Sequence, residues 1–239
     1  MHTIACIPGL LCTGAIFDGL AAALPADTPL QINELSDSDA FNTLAARIAE
    51  EIPPACVLIG MSMGSYLALM VQRLRPEAVK GLVLIGTNAR ADTPEAAENR
   101  KKTVNRARKH GMQVLAEGLS DLMLGTAQRD NPALRGKIAD MAIATGIEVF
   151  ARHQSALASR PDQSDALGAI HCPVLVITGS EDVITSPAAG AELARMVPQG
   201  AQVILEGVGH LPLLEAPQQV AALVARFLTD LPTSESLPE

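Results

Sequence analysis

ACVLIGMSMGSYLALMVQRL, Ala55 to Leu74, reads as a buried strand running without a linker into a helix. Ala55 to Ile59 is apolar at consecutive positions, as a parallel strand covered on both faces requires. From Ser65 onward the apolar residues recur at three- and four-residue spacing, which predicts a helix. Between them stands GMSMG, Gly60 to Gly64. A side chain projected from the tip of a strand, with the helix packed straight back, needs small neighbours two positions away on each side. Gly60 and Gly64 supply them, so Ser62 is expected in a strained backbone conformation, its hydroxyl exposed near the first helical amides.

Other short apolar runs carry the same strand signal: Thr3 to Ile7, Pro29 to Asn33, Gly81 to Gly86, Pro173 to Thr178 and Ala201 to Leu205. AFNTLAARIAEEI, AAGAELARMV and PQQVAALVARFLTDL are helical in pattern and alternate with them. That alternation predicts an α/β chain with a doubly wound, mostly parallel sheet and helices on both faces. The long interval between Gly86 and Pro173 breaks the rhythm and is helical throughout. Residues 88–165 are therefore read as a helical lid inserted into a core of residues 1–87 and 166–232, with 233–239 as a frayed tail.

Composition narrows the function. The chain has 239 residues, formal charge −8, one Tyr, no Trp and four Phe. Such an acidic, aromatic-poor surface argues against nucleic acid and anionic membranes as partners. The basic stretch Glu98 to His110, with Arg100, Lys101, Lys102, Arg106, Arg108 and Lys109, is read as a solvated helix face, with attraction of an anionic substrate as the alternative. Cys6, Cys12, Cys56 and Cys172 lack metal or redox spacing and are expected to be free thiols of a cytoplasmic protein. No apolar run reaches membrane-spanning length, and Pro8-Gly9 interrupts the apolar start, which is read as strand and turn.

A serine hydroxyl needs a base, and the base needs an orienting group. His210 lies in a loop after the last strand-like run, at the strand end where Ser62 is placed. His2 is terminal, His171 precedes a strand, and His110 and His153 fall in the helical interval. The loop after Pro173 to Thr178 offers Glu181 and Asp182 as the acid; Asp182 is preferred, with Glu181 as its solvated neighbour. The order Ser62, Asp182, His210 is the nucleophile, acid, base order of one large fold family.

From PGLLC through GMSMG and TGSEDVITSP to VGHLPLLEAP, the chain resembles the α/β-hydrolase superfamily over nearly its whole length. The PGLLC, NARADTPE and SRPD segments resemble a bacterial subgroup of α/β-fold hydrolases. The resemblance implies Ser62 as nucleophile, Asp182 as acid, His210 as base, and the backbone N–H groups of Met63 and Leu10 as the oxyanion hole. The first strand-like run resembles the third strand of the family sheet, so the resemblance implies a sheet of about six strands without the usual N-terminal hairpin. Many relatives read His-Gly where this chain has Pro8-Gly9, so proline's fixed φ is expected to brace the loop instead.

The expected reaction is hydrolysis of a small or medium carboxylic ester or thioester, with no metal and no organic cofactor. No oligomeric state is assigned. Leu11, Met112, Met123 and Met141, with Leu115, Leu119 and Leu122, are the candidate pocket residues. The alternative is a carbon–carbon bond or enol-lactone hydrolase with the same triad, in which Arg152 or Arg160 binds a substrate carboxylate. A non-catalytic ligand-binding protein on the same fold is the third reading.

Overall fold

A computed structural model of the chain describes residues 3–35 and 38–231. Its sheet holds β1 (Ile4–Ile7), β2 (Leu30–Ile32), β3 (Cys56–Met61), β4 (Val79–Ile85), β5 (Val174–Gly179) and β6 (Gly200–Leu205). All neighbours pair in parallel in the order β2-β1-β3-β4-β5-β6. Burial on both faces explains why the central strands are apolar at nearly consecutive positions, with Lys80 at the start of β4 and Thr178 in β5 as the exceptions. On β3, Val57, Ile59 and Met61 enter one core cluster, while Cys56 and Leu58 enter the other.

Each cluster is closed by its own helices. Leu20 of α1 (Asp18–Ala23) and Val220, Ala221 and Val224 of the C-terminal helix Pro217–Asp230 cover one face. The opposite face is covered by α2 (Phe41–Glu51), α3 (Met63–Leu74) and the helix Pro187–Met196. Helix α3 begins at Met63, two residues before its apolar periodicity starts, so its first free amide stands directly after Ser62.

Between β4 and β5 run α4 (Pro94–Met123), α5 (Pro132–Thr145) and α6 (Ile147–Ala158). Gly111, at φ 85°, breaks α4 internally, and Gly146, at φ 74°, separates α5 from α6. Three further helices follow: α7 (Pro187–Met196), α8 (Pro212–Glu215) and α9 (Pro217–Asp230). Among the described residues no helix is long and apolar enough to cross a membrane. The expected frayed tail and His2 lie outside the described residues.

Of the basic stretch in α4, Lys101, Lys102, Arg106, Arg108 and Lys109 are exposed, as a solvated face requires. Arg100 is not: it turns inward and is half-buried.

Candidate active site

Ser62 sits at φ 50° and ψ −110°, a conformation that β3 and α3 impose together by reversing the chain over one residue. A Cβ at Gly60 would stand 2.5 Å from Gly64 O, and one at Gly64 would stand 2.0 Å from Ile7 O. No side chain fits either position. Ser62 N donates to Ile85 O at 2.8 Å, tying the elbow to β4. The buried Ser65 hydroxyl adds a second tie, donating to Gly60 O at 2.6 Å and accepting from Ile85 N at 3.1 Å. Sequence reasoning passed over Ser65, whose only signal is a hydroxyl in an otherwise apolar first turn.

Three residues far apart in the chain meet here. His210 Nε2 lies 3.0 Å from Ser62 Oγ, and His210 Nδ1 lies 2.8 Å from Asp182 Oδ2. With the proton on Nδ1 donated to Asp182, Nε2 is left to accept from the Ser62 hydroxyl. The Asp182 carboxylate also accepts from Ile184 N at 2.9 Å, Thr185 N at 2.8 Å and Thr185 Oγ1 at 2.8 Å. Burial alone would raise the Asp182 carboxyl; the hydrogen bond and electrostatic attraction of the His210 ring, with the Thr185 hydrogen bonds, outweigh it and hold the group below the usual range. Glu181 points elsewhere, accepting from Thr126 N and Thr126 Oγ1 at 2.6 Å each.

The His210 loop is held by groups that the sequence did not disclose. His210 N donates to Met123 O at 2.6 Å. Glu215, half-buried on α8, accepts from Gly209 N at 3.0 Å, Leu211 N at 3.3 Å and Gly125 N at 2.7 Å. One carboxylate thus grips both neighbours of His210 and the end of α4. Burial raises the Glu215 carboxyl above its usual value despite these amide donors.

The loop after β1 packs against the elbow: a Cβ at Gly9 would stand 3.1 Å from Met61 O and 3.4 Å from Ser62 Cβ. It turns through a Cys12 N to Gly9 O bond of 3.1 Å, with Leu11 at φ 61°. Cys12 Sγ donates to Leu10 O at 3.6 Å. Among the described residues, the amide of Leu10 enters no backbone hydrogen bond, and that of Met63 opens α3 without an intrahelical acceptor. Burial pushes the Cys12 thiol up to about 12, so it stays protonated at neutral pH.

The model of the alpha/beta hydrolase family matches residues 5–223. The chain belongs to that family. This hydrolase is 30% identical over 227 residues to a pimeloyl-[acyl-carrier protein] methyl ester esterase of Neisseria meningitidis, covering 89% of this chain and 87% of the relative. A thermophilic esterase from Thermogutta terrifontis superposes with a TM-score of 0.88 at 27% identity, covering 98% of this chain and 91% of that one. The enol-lactonase of Burkholderia xenovorans LB400 shares the fold at a TM-score of 0.83 and 21% identity, covering 96% and 92% of the two chains.

Above Ser62 the hydrolase holds a cavity of about 400 Å³, the size range of small-ligand sites. Leu10, Leu11, Leu119, Leu122, Met123 and Phe150 give it an apolar lining. Four other expected pocket residues lie elsewhere. Met112, Leu115 and Met141 are buried in the core cluster, and Arg152 does not reach the cavity wall. The reason for Met141 is topological: α4 and α6 roof the cavity, while α5 packs on α4 and contributes no lining residue. Arg160 is also off the cavity, buried in an ion pair with Asp92 and 4.4 Å from the centroid of the Tyr66 ring. Asn99, Arg100, Thr103 and Gln154 form a polar wall, of which the sequence marks only Arg100, as part of the basic stretch.

Proposed function

We propose that this protein is a serine hydrolase that cleaves a small or medium carboxylic ester or thioester through an acyl-enzyme on Ser62. The relay Ser62 Oγ to His210 Nε2 to Asp182, opening into a largely apolar cavity, carries this reading. Ser62 Oγ attacks the carbonyl carbon while His210 Nε2 takes its proton, and Asp182 stabilises the imidazolium. The Leu10 and Met63 amides receive the developing oxyanion. Collapse expels the alcohol or thiol, which leaves with the proton from His210. Water then repeats the sequence on the acyl-enzyme, releasing the carboxylic acid and restoring Ser62.

Residues 88–165 act as the lid in this reading, since α4 and α6 contribute much of the cavity wall. The similarity to the meningococcal and Thermogutta esterases supports ester cleavage over carbon–carbon cleavage. The alternative, a carbon–carbon bond or enol-lactone hydrolase, needs Arg152 or Arg160 to bind a substrate carboxylate, and neither lines the cavity.

Labelling with a fluorescent alkyl phosphonate, read by peptide mapping, tests the assignment. The unaltered protein should label at Ser62 and turn over p-nitrophenyl esters. Ser62→Ala should fold, fail to label and lose several orders of magnitude in rate, on the order of 10³-fold or more. An adduct at any other residue overturns the role of Ser62.

A further inference from the structure

Arg100 is the cation of α4 that does not face solvent. It lines the cavity above Ser62 and also a second groove of about 410 Å³ between α4 and α6, so the Arg100–Gln154 pair is shared by both walls. Its Nη1 donates to Gln154 Oε1 at 2.8 Å, and its Nε and Nη2 donate to the Asp92 carboxylate. Asp92 is also the partner of Arg160, which lies over Tyr66. Two guanidinium groups therefore share one carboxylate, leaving a formal charge of about +1 at this wall.

A guanidinium offers five N–H donors, and about three of those on Arg100 are engaged here, leaving about two for a ligand. Asn99 and Thr103, on the same helix, line the cavity beside it. An acyl chain ending in a methyl group has no use for this wall. Desolvating it against hydrocarbon would cost free energy without return. Beyond Arg100 the outer groove is lined by Lys101, Asn105 and Arg108, with Lys101 paired to Glu98 at 3.4 Å and Arg108 to Glu148 at 3.3 Å, so Arg100 is the cation that faces the cavity.

We propose that Arg100, assisted by Gln154, Asn99 and Thr103, is a specificity determinant that receives a carboxylate at the non-reacting end of the substrate. The preferred substrates are then half-esters of dicarboxylic acids, with the ester carbonyl at Ser62 and the free carboxylate on the guanidinium. Arg100 suits this role because its planar fork binds a carboxylate through parallel N–H donors. The inference rests on Ser62 being the nucleophile.

The test compares kcat/KM for monomethyl esters of straight-chain dicarboxylic acids, glutaric to suberic, with methyl alkanoates of matching length. The unaltered protein should favour the half-ester by about tenfold or more at the best-fitting length, and added salt should shrink that ratio. Arg100→Gln should bring the ratio close to one, whereas Arg100→Lys should retain part of it. Equal or better turnover of the neutral esters at every length overturns the inference, as does an unchanged ratio in Arg100→Gln. Because the first comparison uses the unaltered chain, it holds even if a variant fails to fold. Phosphonate labelling of Ser62 without half-ester preference overturns this inference alone; absence of labelling at Ser62 overturns the nucleophile assignment as well.

Discussion

Asp182 Oδ2 lies 2.8 Å from His210 Nδ1, while the carboxylate one residue earlier is turned away onto Thr126. Adjacent acids in one loop thus meet different partners: Asp182 meets His210, and Glu181 fastens the segment between α4 and α5. Asp182→Asn should lower kcat by about 10²- to 10⁴-fold by disturbing the tautomer and charge of His210. Glu181→Gln should change it by less than about threefold. Steady-state kinetics with a p-nitrophenyl ester ranks the two, and the reverse order would place the acid at Glu181.

Glu215 should matter to catalysis without touching substrate. Its two oxygens accept from Gly209, Leu211 and Gly125, so Glu215→Gln places an NH₂ group against amides that need an acceptor. A shift of His210 approaching 1 Å costs up to about 10²-fold in rate. The variant should lose about tenfold or more in kcat with KM little changed, and phosphonate labelling of Ser62 should slow in parallel. Unchanged labelling and kcat would make the clamp purely structural.

Methionines at two positions of the helical segment separate pocket from packing. Met123 lines the cavity, so Met123→Trp should shift the preferred ester towards shorter acyl chains, each misfitting methylene being worth roughly 1–3 kcal/mol in kcat/KM. Met141 is buried between helices, so Met141→Trp should lower stability by about 1–3 kcal/mol and leave the chain-length profile in place. A profile of p-nitrophenyl esters, with urea unfolding for both variants, checks the pair. A chain-length shift in Met141→Trp alone would reverse the assignment.

Asp92 sets an acid limit on the fold. Burial raises its carboxyl, but the hydrogen bond from Arg100 and the charges of Arg160 and Arg100 outweigh that and hold it below the usual value. A depressed carboxyl contributes stability that is present above its unfolded value, about 3.9, and is lost as pH falls through the folded one. Asp92→Asn strands two guanidinium groups and should cost on the order of 3 kcal/mol at neutral pH. Urea unfolding at neutral pH and below about pH 4 should show that deficit shrinking with acid. A deficit independent of pH would refute the ionised pair.

The sheet and the elbow were legible in the sequence because their signals are local. Alternation of apolar runs with amphipathic helices follows from strand and helix periods alone, and a strand tip that reverses within one residue admits only Gly at positions 60 and 64. The chain order of Ser62, Asp182 and His210 was readable for the same reason, since each stands in a loop at the end of a strand. The helical segment between β4 and β5 was readable as helices but not as an arrangement. Met112, Met123 and Met141 look alike in a periodic pattern, and only Met123 reaches the cavity.

By itself, then, the sequence determined the α/β architecture and the residue types at the elbow, since backbone sterics and hydrophobic period act between near neighbours. Only the tertiary structure turned Glu181 away onto Thr126, turned Arg100 inward from a basic helix face, and brought Glu215 to the His210 loop. Those outcomes depend on contacts between segments remote in the chain, such as Thr126 with Glu181 and Asp92 with Arg100 and Arg160. Charge and burial at such contacts are set by how whole helices dock, and no local pattern encodes which face of α4 packs on α5 and α6.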